Sequence, residues 1–238
     1  MPNNIDISVV VASIRDDVNN YAMKTVDSIL VKDNPYSVEV IVVSPHKMKI
    51  KRPNVKCIRD TSVGSTAAFN LGYKNSSGKY AAMIPDDWRM SPEWWKIVDF
   101  IKEMPSERKN KLASFWHSNV PEIFCAERET LDNDLFKGMF FNPAFFHQYV
   151  DCDIGMKMKQ LGEPVLACPG VRPLTSQGDY QDDKWNAIQK NKYFAVDGMT
   201  FNSLWGHMCE PHPIYEHHDL PLSELEKISK QQLLKSRW

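Results

Sequence analysis

Apolar and polar positions alternate along the first hundred residues in two different rhythms. Ile7 to Ala12 is a continuous run rich in β-branched residues, the pattern of a strand buried on both faces. Val38 to Val43 repeats it, Val55 to Ile58 is a shorter third run, and Tyr80 to Ile84 is a fourth. Helical spacing fills the intervals. Asp16 and Asp17 offer a helix start, and Tyr21, Thr25, Ser28 and Ile29 carry the pattern to about Lys32, before a turn at Asn34-Pro35-Tyr36-Ser37. Ser62-Val63-Gly64-Ser65 opens a second helix with Ala67, Ala68, Leu71 and Gly72 on its apolar face. Asn75-Ser76-Ser77-Gly78 closes it, with Gly78 expected as a left-handed cap. Ser91 as N-cap and Pro92 at the first helical position predict a third helix bearing Trp94, Trp95, Ile97, Val98 and Ile101. Strands that alternate with helices in this way predict an α/β fold with a mostly parallel, Rossmann-like central sheet flanked by helices.

The second half is less regular. Leu112 to Trp116 and Met139 to Phe141 read as strands, and Pro143 to Tyr149 as a short helix. Asp151 to Leu161 reads as a helix ended by Gly162, followed by a strand at Val165 to Cys168. Asp182 to Phe194 is a further expected helix. Leu222 to Leu234 is an amphipathic one, introduced by Pro221 and a Ser223-x-x-Glu226 capping box. With no repeat and no low-complexity linker, residues 1–238 are expected to form a single domain. Its two halves are 1–104 and 105–210, followed by a C-terminal tail with a helix at 211–238.

Composition narrows the classes. A 238-residue chain that is 42% hydrophobic can bury a substantial core, and its net charge of −1 argues against nucleic acid or a membrane surface as partner. The longest apolar runs are strand-sized, so no transmembrane segment is expected, and the first residues lack the pattern of a signal peptide. Cys57, Cys125, Cys152, Cys168 and Cys209 are scattered without metal-site spacing, as reduced thiols of a cytoplasmic protein would be.

The chemistry concentrates at Tyr80-Ala81-Ala82-Met83-Ile84-Pro85-Asp86-Asp87-Trp88, where a buried strand ends in adjacent carboxylates. In open α/β sheets, ligands collect at the carboxyl ends of strands. Two carboxylates there can hold a hard divalent cation, and the cation a phosphate. The same residues are also ordinary turn formers. No G-x-G-x-x-G follows the first strand, and no phosphate-binding G-x-x-x-x-G-K-[ST] occurs, so dinucleotide and P-loop folds are disfavoured. The run from His46 to Arg52 is locally basic, suited to drawing in phosphates or simply to a solvated loop. His207, His212, His217 and His218 match no zinc spacing. Trp116-His117 and the aromatics from Phe140 to Tyr149 could stack on sugar rings or fill a core.

Three segments taken together go further: I-S-V-V-V-A-S with V-E-V-I-V-V-S; G-S-T-A-A-F-N-L-G-Y-K-N-S-S-G-K-Y-A-A-M-I-P-D-D-W; and D-C-D-I-G-M-K-M-K-Q-L-G. Over about residues 5 to 165 this series resembles the family 2 nucleotide-sugar glycosyltransferases of GT-A fold. The resemblance implies an inverting transferase that moves a sugar from a UDP- or GDP-sugar to a hydroxyl of a carbohydrate, lipid-linked or small-molecule acceptor. It makes 1–104 the nucleotide-sugar half and 105–210 the acceptor half. It implies that Asp87, with Asp86, holds Mn²⁺ or Mg²⁺ on the donor diphosphate, and that Asp86 also lies near the donor ribose or sugar. It places Ser13, Arg15, Ser44, Gly64 and Asn70 among the donor-binding residues and makes Asp151 the general base. As a base, Asp151 is expected to be ionised and not deeply desolvated. Asp153 is expected to face solvent or a lysine.

The chain departs from the family pattern in places. Ser44-Pro45-His46-Lys47 stands where an acidic residue commonly follows the second strand, Pro85 where a further Asp often precedes the pair, and Val150 where Glu is common. A later metal-binding His is not evident near Val171-Arg172; Arg172 on the diphosphate, or His207 or His212 on the metal, are the replacements considered. These departures keep two alternatives open: a catalytically inactive GT-A-like protein that binds nucleotide sugars, and a nucleotidyltransferase. The glycines of the latter's first loop are absent from Ala12-Ser13-Ile14-Arg15.

Overall fold

The computed structural model describes residues 5–15, 18–62, 64–175 and 195–206, with residues 227 and 231. The elements, in chain order, are β1 (Ile7–Ala12), α1 (Val18–Ile29), β2 (Val38–Ser44), β3 (Val55–Arg59), α2 (Ser65–Lys74), β4 (Tyr80–Met83), β5 (Arg89–Met90), α3 (Lys96–Lys102), β6 (Leu112–Ser114), β7 (Phe124–Glu127), α4 (Arg128–Asp132), α5 (Val150–Gln160), β8 (Leu166–Ala167) and β9 (Pro173–Thr175). A last helical segment, α6, covers 195–205.

Seven strands form one sheet in the order β3-β2-β1-β4-β7-β6-β8. The first four run parallel, β7 is antiparallel to both β4 and β6, and β8 is parallel to β6. β5 and β9 pair separately as an antiparallel ribbon. Every residue of β1 is buried, Ser8 included, as its β-branched run leads one to expect. Ile7, Val9 and Val11 point into a core shared with α1 and α3, while Val10 and Ala12 point into a second core shared with α2 and α5. Gly72 lets α2 lie close on the sheet: a Cβ there would sit 2.2 Å from Val10 Cγ1.

Several elements differ from the sequence expectations. α1 ends at Ile29, short of Lys32. Residues 92–95 are turn, and α3 begins only at Lys96. The buried Trp94 indole donates to the Ile29 carbonyl (2.9 Å), and the Ser91 hydroxyl caps nothing. α2 ends at Asn75, so Gly78 is not its left-handed cap; Gly78 is instead a close crossing, where a Cβ would meet Ser8 N at 2.5 Å. Residues 139–141 form no strand and 143–149 no helix, whereas β7 and α4 arise where neither was expected. Gly162, at φ 71°, does end the helix of Asp151. The helices expected at 182–194 and 222–234, the four C-terminal histidines and Cys209 lie outside the described residues, apart from residues 227 and 231, which are helical. Cys57, Cys125, Cys152 and Cys168 are free. Among the described residues no helix is long and apolar enough to cross a membrane.

Candidate active site

Strand order fixes where a ligand can sit. The chain winds from β1 outward through β2 and β3, then crosses back to place β4 on the other side of β1. The carboxyl ends of β1 and β4 therefore flank a switch point, the usual crevice of open α/β sheets. Ser13 and Arg15 leave β1 there, and Asp86 and Asp87 leave β4.

These four residues are already joined. The Ser13 hydroxyl donates to Asp86 Oδ2 at 2.5 Å, and Arg15 Nε lies 3.3 Å from the same oxygen. Arg15 Nη2 lies 3.9 Å from Asp87 Oδ2. Asp86 is 7% exposed, and burial pushes its pKa up to about 6, with Asp87 adding to the rise while Ser13 and Arg15 oppose it. Burial also raises Asp87, again against Arg15. The turn that presents the pair is fixed from behind. Thr25 Oγ1 of α1 lies 2.7 Å from the Asp86 carbonyl and 2.9 Å from that of Trp88. Arg89 Nη1 donates to both carbonyls at 3.0 Å.

Could this site hold a metal? Carboxylate oxygens are the right donors for Mg²⁺ or Mn²⁺, which commonly take one or two carboxylates and complete their shell with substrate phosphates and water. Asp86 and Asp87 fit that minimal role. No group of three or more His, Cys, Asp or Glu that could hold a metal ion occurs among the described residues.

Around the rim of the sheet, Ser44 is fully buried at the end of β2, and its hydroxyl accepts the His46 N–H at 3.2 Å. His46 Nε2 is 3.0 Å from the Ile14 carbonyl, which ties the basic loop to the segment after β1. Next to Ser44 stands a carboxylate the sequence reading passed over. Asp60, one residue past β3, is 8% exposed, and its N–H donates to the Ser44 carbonyl (3.0 Å). Its carboxylate accepts the Ser62 N–H at 2.9 Å and the Ser62 hydroxyl. The rule that drew attention to Asp86, an acid at the carboxyl end of a strand, would have found it.

The second half brings its residues to the same edge because β7 runs antiparallel to β4. Met83 pairs with Phe124, so the segment entering β7 lies beside the segment leaving β4. Glu122 sits in that segment. Desolvation raises its pKa, the charges of Asp151 and Asp87 raise it further, and His117 opposes them. A carboxylate from each half is thus within electrostatic reach of Glu122. Nothing in the local sequence marks Glu122, since its position depends on a strand pairing made 40 residues away in the chain. The loop before it, 116–120, is exposed. Trp116, 39% exposed, packs edge-on against Trp88 with centroids 5.6 Å apart.

Asp151 lies in the first turn of α5 and accepts the Cys152 N–H at 2.9 Å. Burial raises its pKa, so the expectation that it escapes desolvation is corrected. Asp153 does not face solvent: it is 1% exposed, paired with Lys157 at 2.9 Å, and accepts the Trp205 indole N–H at 2.9 Å. Gly155 seats α5 on the loop 116–120, since a Cβ there would lie 1.8 Å from the Asn119 carbonyl oxygen.

Gly64 and Asn70 join the halves. Gly64, at φ 90°, lies against the Phe146 carbonyl, where a Cβ would come within 2.3 Å. Asn70 spends both ends of its amide on Phe141, donating to its carbonyl (2.8 Å) and accepting its N–H (3.0 Å). Arg172 is exposed beyond β8.

No protein-family model and no curated protein matches the chain. Solved structures do. Mannosyltransferase PcManGT from Pyrobaculum calidifontis, solved in complex with GDP-Man and Mn²⁺, superposes with a TM-score of 0.58 over 99% of this chain and 74% of its own, at 13% identity. TarS 1–349 of S. aureus superposes with a TM-score of 0.53 over 97% and 71%, at 14% identity. At such identities the likeness establishes architecture. The chain has the mixed α/β fold of the GT-A glycosyltransferases, as the sequence motifs implied.

Proposed function

We propose that this chain is an inverting, metal-assisted glycosyltransferase that carries a sugar from a UDP- or GDP-sugar to an acceptor hydroxyl. The observation that carries the reading is the cluster of Ser13, Arg15, Asp86 and Asp87 at the carboxyl ends of β1 and β4. The antiparallel pairing of β7 with β4 brings the second half to the same edge, which supports residues 1–104 serving the donor and 105–210 the acceptor. The first structural neighbour named above is a mannosyltransferase solved with GDP-Man and Mn²⁺, which supports the reading.

In this reading Ser44, Ser13 and Arg15 line the nucleotide and diphosphate, and Gly64 and Asn70 serve the site through the backbone they hold. Asp86 and Asp87 hold Mn²⁺ or Mg²⁺, which when bound neutralises charge on the departing diphosphate. Arg15, which pairs with Asp86 and lies near Asp87, would supply positive charge to a diphosphate oxygen. Asp151 accepts the proton of the acceptor hydroxyl as its oxygen attacks the anomeric carbon. The bond from that carbon to the diphosphate breaks, and a single displacement inverts the centre. Burial suits Asp151 to the task, because raising a carboxylate toward neutral pH strengthens it as a base. Trp116 and Glu122 form the acceptor side.

Asp87→Ala and Asp151→Asn should each reduce release of nucleoside diphosphate from the donor by at least about 10²-fold while the fold persists. Unchanged turnover in either variant refutes its assigned role. A second reading, a GT-A-like binding protein without turnover, is favoured by the missing third metal ligand among the described residues. Calorimetric binding of UDP or GDP with Mn²⁺, coupled to no hydrolysis or transfer with any donor, would select it.

A further inference from the structure

The segment that delivers Asp151 is held in an uncommon way. Residues 146–149 form neither helix nor strand, and Tyr149 precedes α5 at φ 60°, a left-handed conformation that a non-glycine residue adopts only under constraint. Tyr149 occupies the N-cap position of α5 yet makes no side-chain cap hydrogen bond. The constraint comes from α6, far along the chain. Asp197, with no exposed surface, accepts three consecutive backbone N–H groups: Phe146 at 2.9 Å, His147 at 2.8 Å and Gln148 at 2.7 Å. One turn later Phe201 stacks on Tyr149, with centroids 5.5 Å apart and planes 29° from parallel. A further turn on, Trp205 donates its indole N–H to Asp153. Positions 197, 201 and 205 share one stripe of the helix, and their contacts bracket Asp151 on both sides. Opposite them, the N-terminus of α2 grips the same loop. Thr66 N–H donates to the Phe146 carbonyl (3.1 Å), and Ser65 Oγ lies 2.5 Å from His147 Nδ1.

We propose that Asp197 is a positioning residue for Asp151, and that the stripe Asp197, Phe201 and Trp205 sets the direction in which the Asp151 carboxylate faces the acceptor. The inference rests on the reading of Asp151 as general base. It assigns to α6, which contributes no group to the reacting atoms, a share in the rate. A carboxylate that binds three successive amides fixes the path of that backbone. The Asp151 side chain accepts the N–H of its own neighbour, Cys152, so the path of that backbone helps to orient it.

The test uses the full chain. Asp197→Asn keeps the size of the side chain but turns an N–H donor toward amides that need an acceptor. Trp205→Phe keeps most of the packing and removes the bond to Asp153, and serves if Asp197→Asn fails to fold. Ser203→Ala, on the exposed face of α6, is the control. Two readouts are followed: the Cys152 amide resonance, which reports the Asp151 hydrogen bond, and nucleoside diphosphate release from GDP-mannose and UDP-N-acetylglucosamine. The expected result is a displaced Cys152 resonance in Asp197→Asn and Trp205→Phe but not in Ser203→Ala. With it, kcat should fall about 10- to 100-fold while donor KM is unchanged. Asp197→Asn placed on Asp151→Asn should have no further effect, because the two act through one group. A Cys152 resonance that stays in place in both α6 variants, or fully additive rate effects, overturns the inference alone. Turnover that survives Asp151→Asn overturns the base assignment and the inference with it.

Discussion

Gly155→Ala is the sharpest structural test of the acceptor side. The substitution adds one methyl group on α5, one helical turn past Asp151. That carbon would lie 1.8 Å from the Asn119 carbonyl oxygen, where 3.0 Å is the closest approach real Cβ atoms show, so helix and loop must separate by at least about 1.2 Å. The obstacle is backbone and has no rotamer to escape into. Asn119 is itself pinned, at φ 71° and with its N–H bonded to the Val165 carbonyl at 3.1 Å. Overpacking of this kind costs about 1–3 kcal/mol, set against roughly 0.5–1 kcal/mol gained by replacing a helical glycine. The net loss of about 0.5–2 kcal/mol corresponds to a melting temperature lower by about 1–8 °C for a chain of this size. The functional effect should be larger than the thermal one. The displaced loop carries Trp116 and leads to Glu122, and a misplacement of about 1 Å can cost on the order of 10²-fold in rate. Calorimetric unfolding, nucleotide binding and donor turnover measured together check the argument. An alanine variant that melts at or above the wild type with full turnover would show that loop and helix do not meet as described.

Three further outcomes are expected. In cation-free buffer, Asp86 holds its proton more tightly when folded than when unfolded, so its contribution to stability is largest below about pH 4 and is lost as pH rises through about 6. A rise from 3.8 to about 6 is worth about 3 kcal/mol. Asp86→Asn should therefore melt higher than the wild type at pH 7.5 in chelator and should gain nothing from Mn²⁺ with UDP or GDP; an equal or lower melting temperature at that pH contradicts the argument. Gly64→Ala, at φ 90° and 2.3 Å from the Phe146 carbonyl, should lose about 2 kcal/mol or more in urea titration and disturb the loop that leads to Asp151; a stability equal to wild type would rule this out. Trp116→Ala should leave nucleotide binding intact and weaken only acceptor-dependent transfer, read as a KM for acceptor that rises with the donor KM constant.

The parts legible in the sequence are those whose cause is local. β1, β2 and β4 are readable because burial on both faces leaves a run dominated by apolar residues, broken only by Ser8 in β1 and by Glu39 and Ser44 in β2, and Asp86-Asp87 because such a run stops abruptly at two charges. What escaped was fixed by contacts distant in sequence. Pro143 to Tyr149 reads as a helix, but Asn142 Oδ1 accepts the Ala144 N–H (3.0 Å), the Asn142 carbonyl accepts the Phe145 N–H (3.2 Å), and Asp197 takes the amides of Phe146, His147 and Gln148. An amide engaged by a carboxylate 50 residues later cannot close a helical turn. Of the two expectations for Asp153, the lysine holds, in Lys157, while Trp205, 52 residues away, takes the place of solvent. β7 is four residues long and gains its identity by pairing with β4 on one side and β6 on the other. Gly78 looked like punctuation for the preceding helix, while its small size answers to Ser8 on a strand 70 residues earlier.

The reversal of direction between β4 and β7 carries an evolutionary consequence. In the proposed reading the seam separates the donor half from the acceptor half, and the β4–β7 pairing, with the contacts of Gly64 and Asn70, keeps the two in alignment while each is tuned. The stretch between β6 and β7 is closed at its base by the Phe115 N–H bonded to the Ile123 carbonyl. On that reading, varying exposed positions of its tip other than Asn119, which meets Gly155, is a route to a different acceptor with the donor kept.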